Sequence, residues 1–196
     1  MFFNHLVKNP AYNKAVTMQI LTQLMKREFC MHILETERLQ LIPFSLELKK
    51  LAIYDRMQIT EKLGIGLSDD WPAADYAEAL PTFIRRMEQD PFAAIWDGII
   101  VHKADRLAIG GMGFHNGPDD TGTVEIGYDI IPAYRNWGYA SEMAHRVIAW
   151  AFAQPRIRAV KARCVYHNIG SIRVLEKVGM RRIGQDGDML QWEIRL

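Results

Sequence analysis

The segment that decides the fold reads VEIGYDIIPAYRNWGYASE from residue 124 to residue 142. Its first half alternates apolar and polar side chains, which predicts a half-buried strand over residues 123–131 that ends at Pro132. After a short turn, Gly138 opens a stretch with helical apolar periodicity over residues 138–153. The segment therefore predicts a strand, a turn and an amphipathic helix, in that order.

The turn itself has the composition of an anion site. Gly138 and the small Ala140 let a ligand approach the backbone N–H groups at the start of the helix, and Arg135 adds a positive charge beside them. Phosphate is the anion that such helix entrances bind most often. An ordinary helix start next to a surface arginine is an equally good explanation of these residues taken alone.

The neighbouring segments extend this unit into a mixed sheet. Residues 159–166 form a further predicted strand, and the helix between the two strands requires them to run parallel. Upstream, residues 93–103 and 107–115 are joined by a three-residue connection, which predicts an antiparallel hairpin. The glycines at 110, 111 and 113 lie inside this hairpin with no helix after them, which excludes a dinucleotide-binding loop and indicates a bulge or a close backbone approach in the sheet.

The remaining elements are predicted from capping residues and periodicity. Residues 38–43 are predicted as the first strand, and Ser45 as the N-cap of a helix over residues 46–55. Asp70-Trp71-Pro72 predicts the start of another helical stretch, which Pro81 is expected to divide into two short helices. A further helix over residues 169–178 and a last strand over residues 189–196 complete the pattern.

Composition limits the classes of partner. Lys and Arg number 24 against 23 for Asp and Glu, so no net field favours nucleic acid or an anionic membrane. No apolar run approaches the length of a membrane span, and the start of the chain lacks the pattern of a signal peptide. Cys30 and Cys164 match neither a metal cluster nor a disulfide framework. We therefore expect a soluble, cytoplasmic protein without a metal site.

The first thirty residues differ in pattern from the rest of the chain. They carry a short apolar stripe that connects to no later element, so residues 1–30 are predicted to be an extension, either a flexible arm or an upstream start. Residues 31–196 are predicted to form one domain.

Two motifs resemble a known family. The strand and turn of residues 124–142 are similar to the acetyl-CoA-binding core of the GNAT superfamily of N-acetyltransferases, whose turn runs Gln/Arg-x-x-Gly-x-Gly/Ala. NIGSIRVLEKVGM, residues 168–180, resembles the next motif in the branch that contains ribosomal-protein N-terminal acetyltransferases. With TERL at residues 36–39, the resemblance covers roughly residues 32–195. It implies an α/β (α+β) fold with a mixed, mostly antiparallel central sheet flanked by helices.

The resemblance also implies where acetyl-CoA, the acetyl donor, would bind. In the family, backbone amides of the turn hold the pyrophosphate, the preceding strand pairs with the pantetheine arm, and an Asn of the second motif contacts the cofactor. The matching positions are Arg135, Asn136, Gly138, Tyr139 and Ala140 for the phosphates, Ile130 for pantetheine, and Asn168 with Ser171 in the second motif. Ser171 is equally compatible with an ordinary residue in a first helical turn.

Acetyl transfer to an amine also requires groups that move protons. Strand alternation places Glu125, Gly127 and Asp129 on one face, and family members often use a carboxylate on this strand as general base. Glu125 is the predicted base, with a purely structural carboxylate as an equal alternative. Many members protonate the leaving thiolate with a tyrosine, but Leu175 stands at that position. The proton must then come from another group, from water or from the amine itself. Ser141 and Tyr128 are the candidate donors, with a helix-start position as the alternative for Ser141 and core packing as the alternative for Tyr128.

The predicted function is transfer of an acetyl group to a primary amine, by direct transfer within a ternary complex. The acceptor is either a peptide N-terminus or a small molecule, and the protein either a monomer or a homodimer. Residues 63–87, which include Gly64-Ile65-Gly66 and Trp71-Pro72, are expected to recognise the acceptor, because loops on a rigid scaffold carry specificity. The alternative is a non-catalytic acyl-CoA-binding module, in which Leu175 reflects lost chemistry.

Overall fold

In the computed structural model, which describes residues 32–89, 96–114 and 117–196, the strands form one nine-stranded sheet. The strands are β1 Leu34–Glu35, β2 Leu39–Pro43, β3 Gly66–Leu67, β4 Trp96–His102, β5 Leu107–Phe114, β6 Thr123–Ile130, β7 Ala159–Val165, β8 Arg181–Asp186 and β9 Met189–Arg195. The helices are α1 Leu46–Tyr54, α2 Arg56–Leu63, α3 Ala74–Gln89, α4 Tyr139–Phe152 and α5 Ile169–Lys177, with a 3₁₀ turn at Pro132–Tyr134. The predicted extension, residues 1–30, lies outside the described residues.

The strand order is β1-β2-β4-β5-β6-β7-β9-β8, with β3 pairing to β5 off this path. The β6–β7 and β3–β5 pairs are parallel, and the other neighbours are antiparallel. This confirms the predicted fold class, a mixed and mostly antiparallel sheet with helices.

The unit formed by β6, α4 and β7 has the predicted order and direction. Gly138 precedes α4 with φ 84°, and β7 runs parallel to β6. On α4, Met143, Val147 and Ala151 recur at every fourth residue and are fully buried. This apolar stripe faces the core, which is why the crossover helix packs back against the sheet.

Two neighbouring residues of β4 show what covers each face of the sheet. The Trp96 ring lies 5.6 Å from that of Trp150 on α4, measured between centroids. The Asp97 carboxylate accepts hydrogen bonds from Lys49 Nζ of α1 at 2.7 and 2.9 Å and from the Tyr76 hydroxyl of α3. Because successive strand residues point to opposite faces, α4 covers one face while α1 and α3 cover the other.

The prediction of two short helices around Pro81 is wrong, because residues 74–89 form the single helix α3. Pro81 has no N–H, so one helical hydrogen bond is lost. Leu80 and Ile84, on either side of it, are buried with 1% and 8% of their surface exposed. Their burial offsets the lost hydrogen bond and keeps the helix continuous.

Candidate active site

Strands β6 and β7 are paired at one end and separate at the other. They pair at residues 123–125, whereas on its other edge β6 pairs with β5 from Ile126 to Ile130. The other edge of β7 pairs with β9 along Ala159–Val165. The two strands therefore diverge beyond Glu125, and their facing backbone edges are available to an extended ligand.

A cavity of about 760 Å³, named the turn cavity, lies against the turn that comes after β6. It is bounded by the turn, by the start of α4 and by one side of α5. All the residues predicted to bind the cofactor line this cavity, namely Ile130, Arg135, Asn136, Gly138, Tyr139, Ala140, Asn168 and Ser171. Ser141, a predicted catalytic residue, also lines it. The fold thus brings the two sequence motifs to one cavity.

The turn has the backbone conformation of an anion site. Asn136 and Gly138 have φ of 66° and 84°, in the left-handed region that Gly, and less often Asn, adopts. A Cβ at position 138 would lie 3.7 Å from its nearest neighbour, Arg38 Nη2. Space is therefore available, and the backbone conformation is what requires glycine. The first N–H groups of α4 have no partner within the helix, and the helix dipole favours an anion there.

The segment before β2 holds this turn in place. Glu142, in the first turn of α4, accepts hydrogen bonds from Thr36 Oγ1 at 2.6 Å and from Arg38 Nε at 2.7 Å. Arg38 also donates to the Trp137 carbonyl at 3.2 Å and lies 4.4 Å above the Tyr139 ring. Since the Tyr139 side chain is buried, the predicted contact of residue 139 with phosphate falls to its backbone N–H.

The start of α5 meets β6 at the other end of the turn cavity. Asn168 Oδ1 caps α5 by accepting from the Ser171 N–H at 3.0 Å. The Ser171 hydroxyl lies 2.8 Å from the Tyr128 hydroxyl. Burial raises the pKa of Tyr128 to about 12, although the hydrogen bond with Ser171 lowers it. Tyr128 therefore keeps its proton at neutral pH.

A second cavity, of about 390 Å³, lies between α3 and the β5–β6 surface and is named the aromatic cavity. Its rings come from Phe44, Trp71, Tyr76, Phe83, Phe114 and Tyr128. Trp71 and Pro72 lie in its wall, where the prediction places an acceptor-binding loop. The other part of that predicted loop does not, because Gly66 pairs with Leu107 as part of β3.

The two cavities meet where β6 and β7 diverge. Ala73, Asp75, Tyr128, Asp129, Asn168 and Ser171 line both of them. A ligand extended along the turn cavity would therefore touch a second ligand held in the aromatic cavity.

Asp129 is a partly buried carboxylate at this junction. Its Oδ2 atom is buried and has no hydrogen-bond partner among the described residues. Burial raises the pKa of Asp129 to about 6, although the Gly111 backbone N–H and the Arg135 charge both lower it. Sequence alternation placed Asp129 on the same strand face as Glu125, but it could not show which of the two has the buried oxygen atom.

The predicted catalytic residues lie in different cavities. Glu125 lines the aromatic cavity, and its Oε1 accepts from Arg163 Nε at 2.9 Å, with a third of the glutamate side chain exposed. Ser141 is buried and lines the turn cavity. The structure does not bring these two side chains together at the junction.

Two cations of the turn cavity were missed from the sequence. Arg173 and Lys177 of α5 line it in addition to Arg135. Their spacing of four residues places them on one side of the helix, and this is the signal that could have identified them.

No helix within the described ranges combines the length and apolarity that crossing a membrane requires.

The family described as acetyltransferase (GNAT) domain matches residues 38–181. The uncharacterized N-acetyltransferase YjdG of Bacillus subtilis (strain 168) is 32% identical over 163 residues, which is 83% of this chain and 97% of that protein.

Solved structures share the fold at lower identity. A ribosomal-protein-S5-alanine acetyltransferase from Vibrio fischeri has a TM-score of 0.60 at 14% identity, covering 84% of this chain and 97% of its own. The microcin C7 self-immunity acetyltransferase MccE, in complex with acetyl-CoA and AMP, has a TM-score of 0.57 at 13% identity, covering 82% and 94%. The family match, the relative and the shared fold agree with the geometry of the site, and the chain belongs to the GNAT acetyltransferase family and is an acyltransferase.

Proposed function

We propose that this chain transfers the acetyl group of acetyl-CoA to a primary amine by direct transfer within a ternary complex. The observation that supports this most is the meeting of the turn cavity and the aromatic cavity at Tyr128 and Asp129. Donor and acceptor would each occupy one cavity and touch at the junction. Cys164 lines the aromatic cavity and is buried in β7, but direct transfer needs no acyl-cysteine.

The residues of the turn cavity fit acetyl-CoA in charge and shape. The backbone N–H groups of residues 136–140 would hold the pyrophosphate, with Arg135, Arg173 and Lys177 supplying positive charge around it. The β6 edge up to Ile130 would pair with the pantetheine arm, because β6 and β7 are no longer paired beyond Glu125. When bound, acetyl-CoA supplies the activated acyl carbon.

The chain's own groups must then move two protons. The acceptor ammonium has to lose one, and the departing sulfur has to gain one. Two carboxylates of β6 line the aromatic cavity, Glu125 and Asp129, and the proposal requires one of them as base. Ser141, which lines the turn cavity, and Tyr128, which lines both cavities, are the proposed donors to sulfur.

The acceptor class is open between a peptide N-terminus and a small amine. Among similar structures, one is named for the alanine of a ribosomal protein and another for immunity to microcin C7, so the names of similar structures do not point to one acceptor. We place the activity in the cytoplasm, where the buried Cys164 thiol stays reduced.

The test is a time course of CoA release from acetyl-CoA with a panel of amines, alongside calorimetry of CoA binding. We expect CoA to bind, its release to depend on the amine, and mass spectrometry to detect the acetylated amine. Binding without release for any amine would support the alternative of a non-catalytic acyl-CoA-binding module. Failure to bind CoA would contradict the proposed site itself.

A further inference from the structure

The aromatic cavity combines apolar walls with one carboxylate oxygen that the fold leaves unpaired. Neighbouring rings form a continuous wall, with centroids 5.6 Å apart for Phe44 and Trp71, 5.9 Å for Phe44 and Tyr76, and 5.4 Å for Tyr76 and Phe83. A wall of this kind binds an apolar or aromatic group, but it gives a strongly hydrated group few hydrogen-bond partners to replace its water.

The other acidic groups of the cavity are engaged or exposed. Asp97 accepts from Lys49 at 2.7 Å and from Tyr76. Glu125 is paired with Arg163 at 2.9 Å, and Asp75 is exposed. Asp129 differs, because its Oδ2 atom is buried and unpartnered in the part of the chain that the structure describes.

A buried carboxylate oxygen without a donor is costly unless a ligand supplies one. The N–H groups of an ammonium are such donors, and the ammonium charge matches the carboxylate. The glycine at 111 avoids crowding this carboxylate, since a Cβ there would lie 3.3 Å from Asp129 Oδ1. On the basis of the proposed acetyl transfer, we infer that Asp129 receives the acceptor ammonium and takes its proton, and that the acceptor is an amine on an apolar or aromatic body.

Two protons and two electron pairs move in this reaction, because the nitrogen lone pair becomes the C–N bond and the C–S bonding pair leaves with sulfur. Asp129 takes one proton from the ammonium, and the nitrogen lone pair forms the C–N bond as the C–S bond breaks. The second proton leaves the nitrogen for the departing sulfur, through Tyr128 or directly. Asp129 then returns its proton to solvent, and the products are an N-acetyl amine and CoA thiol.

Several charged or titratable groups line the cavity around Asp129. These are Asp75 and Tyr76 of α3, Asp97 of β4, Glu125 and Tyr128 of its own strand, and Arg163 and Cys164 of β7. The charge of Arg135 acts on Asp129 from the turn, and Lys49 is bound to Asp97. Because burial raises the pKa of Asp129 to about 6, the base is mostly ionised at neutral pH. The rate at low amine concentration should therefore fall as pH drops through about 6.

The experiment compares phenethylamine and a peptide with N-terminal phenylalanine against ethanolamine and spermidine, in the full chain. We expect kcat/KM to be at least about tenfold higher for the apolar acceptors. Comparing kcat/KM for phenethylamine with kcat/KM for the peptide shows whether the acceptor is a small amine or a protein N-terminus. Equal kcat/KM values for ethanolamine and the apolar acceptors would overturn the acceptor class.

Asp129→Asn is compared with Glu125→Gln, the matched change of the neighbouring carboxylate on the same strand face. We expect Asp129→Asn to lower kcat by ~10²- to 10⁴-fold and Glu125→Gln to have an effect at least about tenfold smaller, while Asp186→Asn, the same change at an exposed aspartate of β8, stays within about threefold of the wild type. Calorimetry should show that Asp129→Asn keeps its CoA affinity while phenethylamine binding to the CoA complex weakens. The reverse order of the two variants would return the base to Glu125 and overturn the inference.

The wild-type pH profile is a second measurement that does not depend on how the variants fold. Loss of kcat/KM as pH falls through about 6 supports Asp129 as the base. A profile that is flat between about pH 5 and 7 contradicts it. If CoA does not bind to the wild type at all, the proposed function fails; if CoA binds and amines are acetylated without dependence on Asp129, only this inference fails.

Discussion

At the scale of single residues, the left-handed backbone at Gly138 controls how closely an anion approaches the turn. Asn and Asp have the same size, and both tolerate φ near 84° better than other side chains do. Gly138→Asn therefore measures the effect of bulk, and Gly138→Asp adds a negative charge opposite the pyrophosphate. We expect CoA affinity measured by calorimetry to be at least about tenfold lower for Asp than for Asn. Equal affinities in two folded variants would mean that no phosphate lies at this turn.

Asp129 should also affect stability in a pH-dependent way. Its pKa is about 6 in the folded chain against an ordinary value of 3.8. An acid with a raised folded pKa destabilises the fold when ionised, so its cost appears as pH rises from about 4 to 6 and persists above that. The full shift corresponds to at most about 3 kcal/mol.

Asp129→Asn removes that cost. In urea unfolding at about pH 7.5, we expect the variant to be more stable than the wild type by roughly 1–3 kcal/mol, and at about pH 4.5 by much less. If the free energies of unfolding of the variant and the wild type differed by the same amount at both pH values, the pKa of Asp129 would not be raised in the folded chain.

The residue scale also shows the limit of sequence analysis at the site. The turn residues are set by local backbone requirements, such as glycine at a left-handed position, so their positions could be predicted. The choice between Glu125 and Asp129 depends on burial and on Arg163 and Gly111, which come from other strands. Alternation along one strand carries no information about those neighbours.

At the scale of elements, Glu142 connects α4 to the segment before β2 through hydrogen bonds. Its carboxylate accepts from Thr36 and from Arg38, at 2.6 to 3.0 Å. Glu142→Ala should lower the free energy of unfolding by about 2 kcal/mol, because charged hydrogen bonds in a partly buried setting are lost. CoA affinity should also fall, since the turn loses its anchor.

Glu61→Ala is the control for this change, because Glu61 is an exposed glutamate on another helix, α2. Its effect on urea unfolding should be within about 0.5 kcal/mol. If Glu142→Ala were as mild as the control, the turn would be held by other contacts, and the proposed role of the Thr36–Arg38 segment would be wrong.

The elements differ in how well they could be predicted. Strand β6, helix α4 and helix α5 have clear periodicity and a proline or glycine at a boundary, and they form within a residue or two of the predicted ends. Helix α2 buries Ile59 alone, and β8 is an edge strand whose side chains are mostly exposed. Neither has an apolar stripe, so periodicity could not reveal them.

At the scale of the whole molecule, residues 1–30 are predicted to be dispensable. The family match begins at residue 38, and all the residues assigned to the site lie beyond residue 31. A protein that begins at Met31 should therefore keep its CoA affinity within about threefold and its unfolding midpoint within a few degrees. Calorimetry and thermal unfolding of the two lengths provide the comparison. Loss of either property would make the extension part of the domain.

The meeting of the turn cavity and the aromatic cavity depends on how distant parts of the chain pack together, so it could not be predicted from the sequence. The turn cavity arises from two motifs that come one after the other in the chain, so its residues could be assigned by resemblance. The aromatic cavity collects side chains from α3, from β5 and from the segments before α1 and α3. The proposal that an apolar acceptor meets the donor at Asp129 rests on this packing, which the sequence alone does not reveal.

The most direct test of the proposed site is a crystal structure of the chain with bound CoA. We predict that the pyrophosphate lies on the backbone N–H groups of residues 136–140, that the pantetheine arm runs along the β6 edge where β7 has diverged, and that the thiol ends beside Asp129. CoA bound elsewhere, or a thiol that ends away from the junction of the two cavities, would contradict the proposed mechanism.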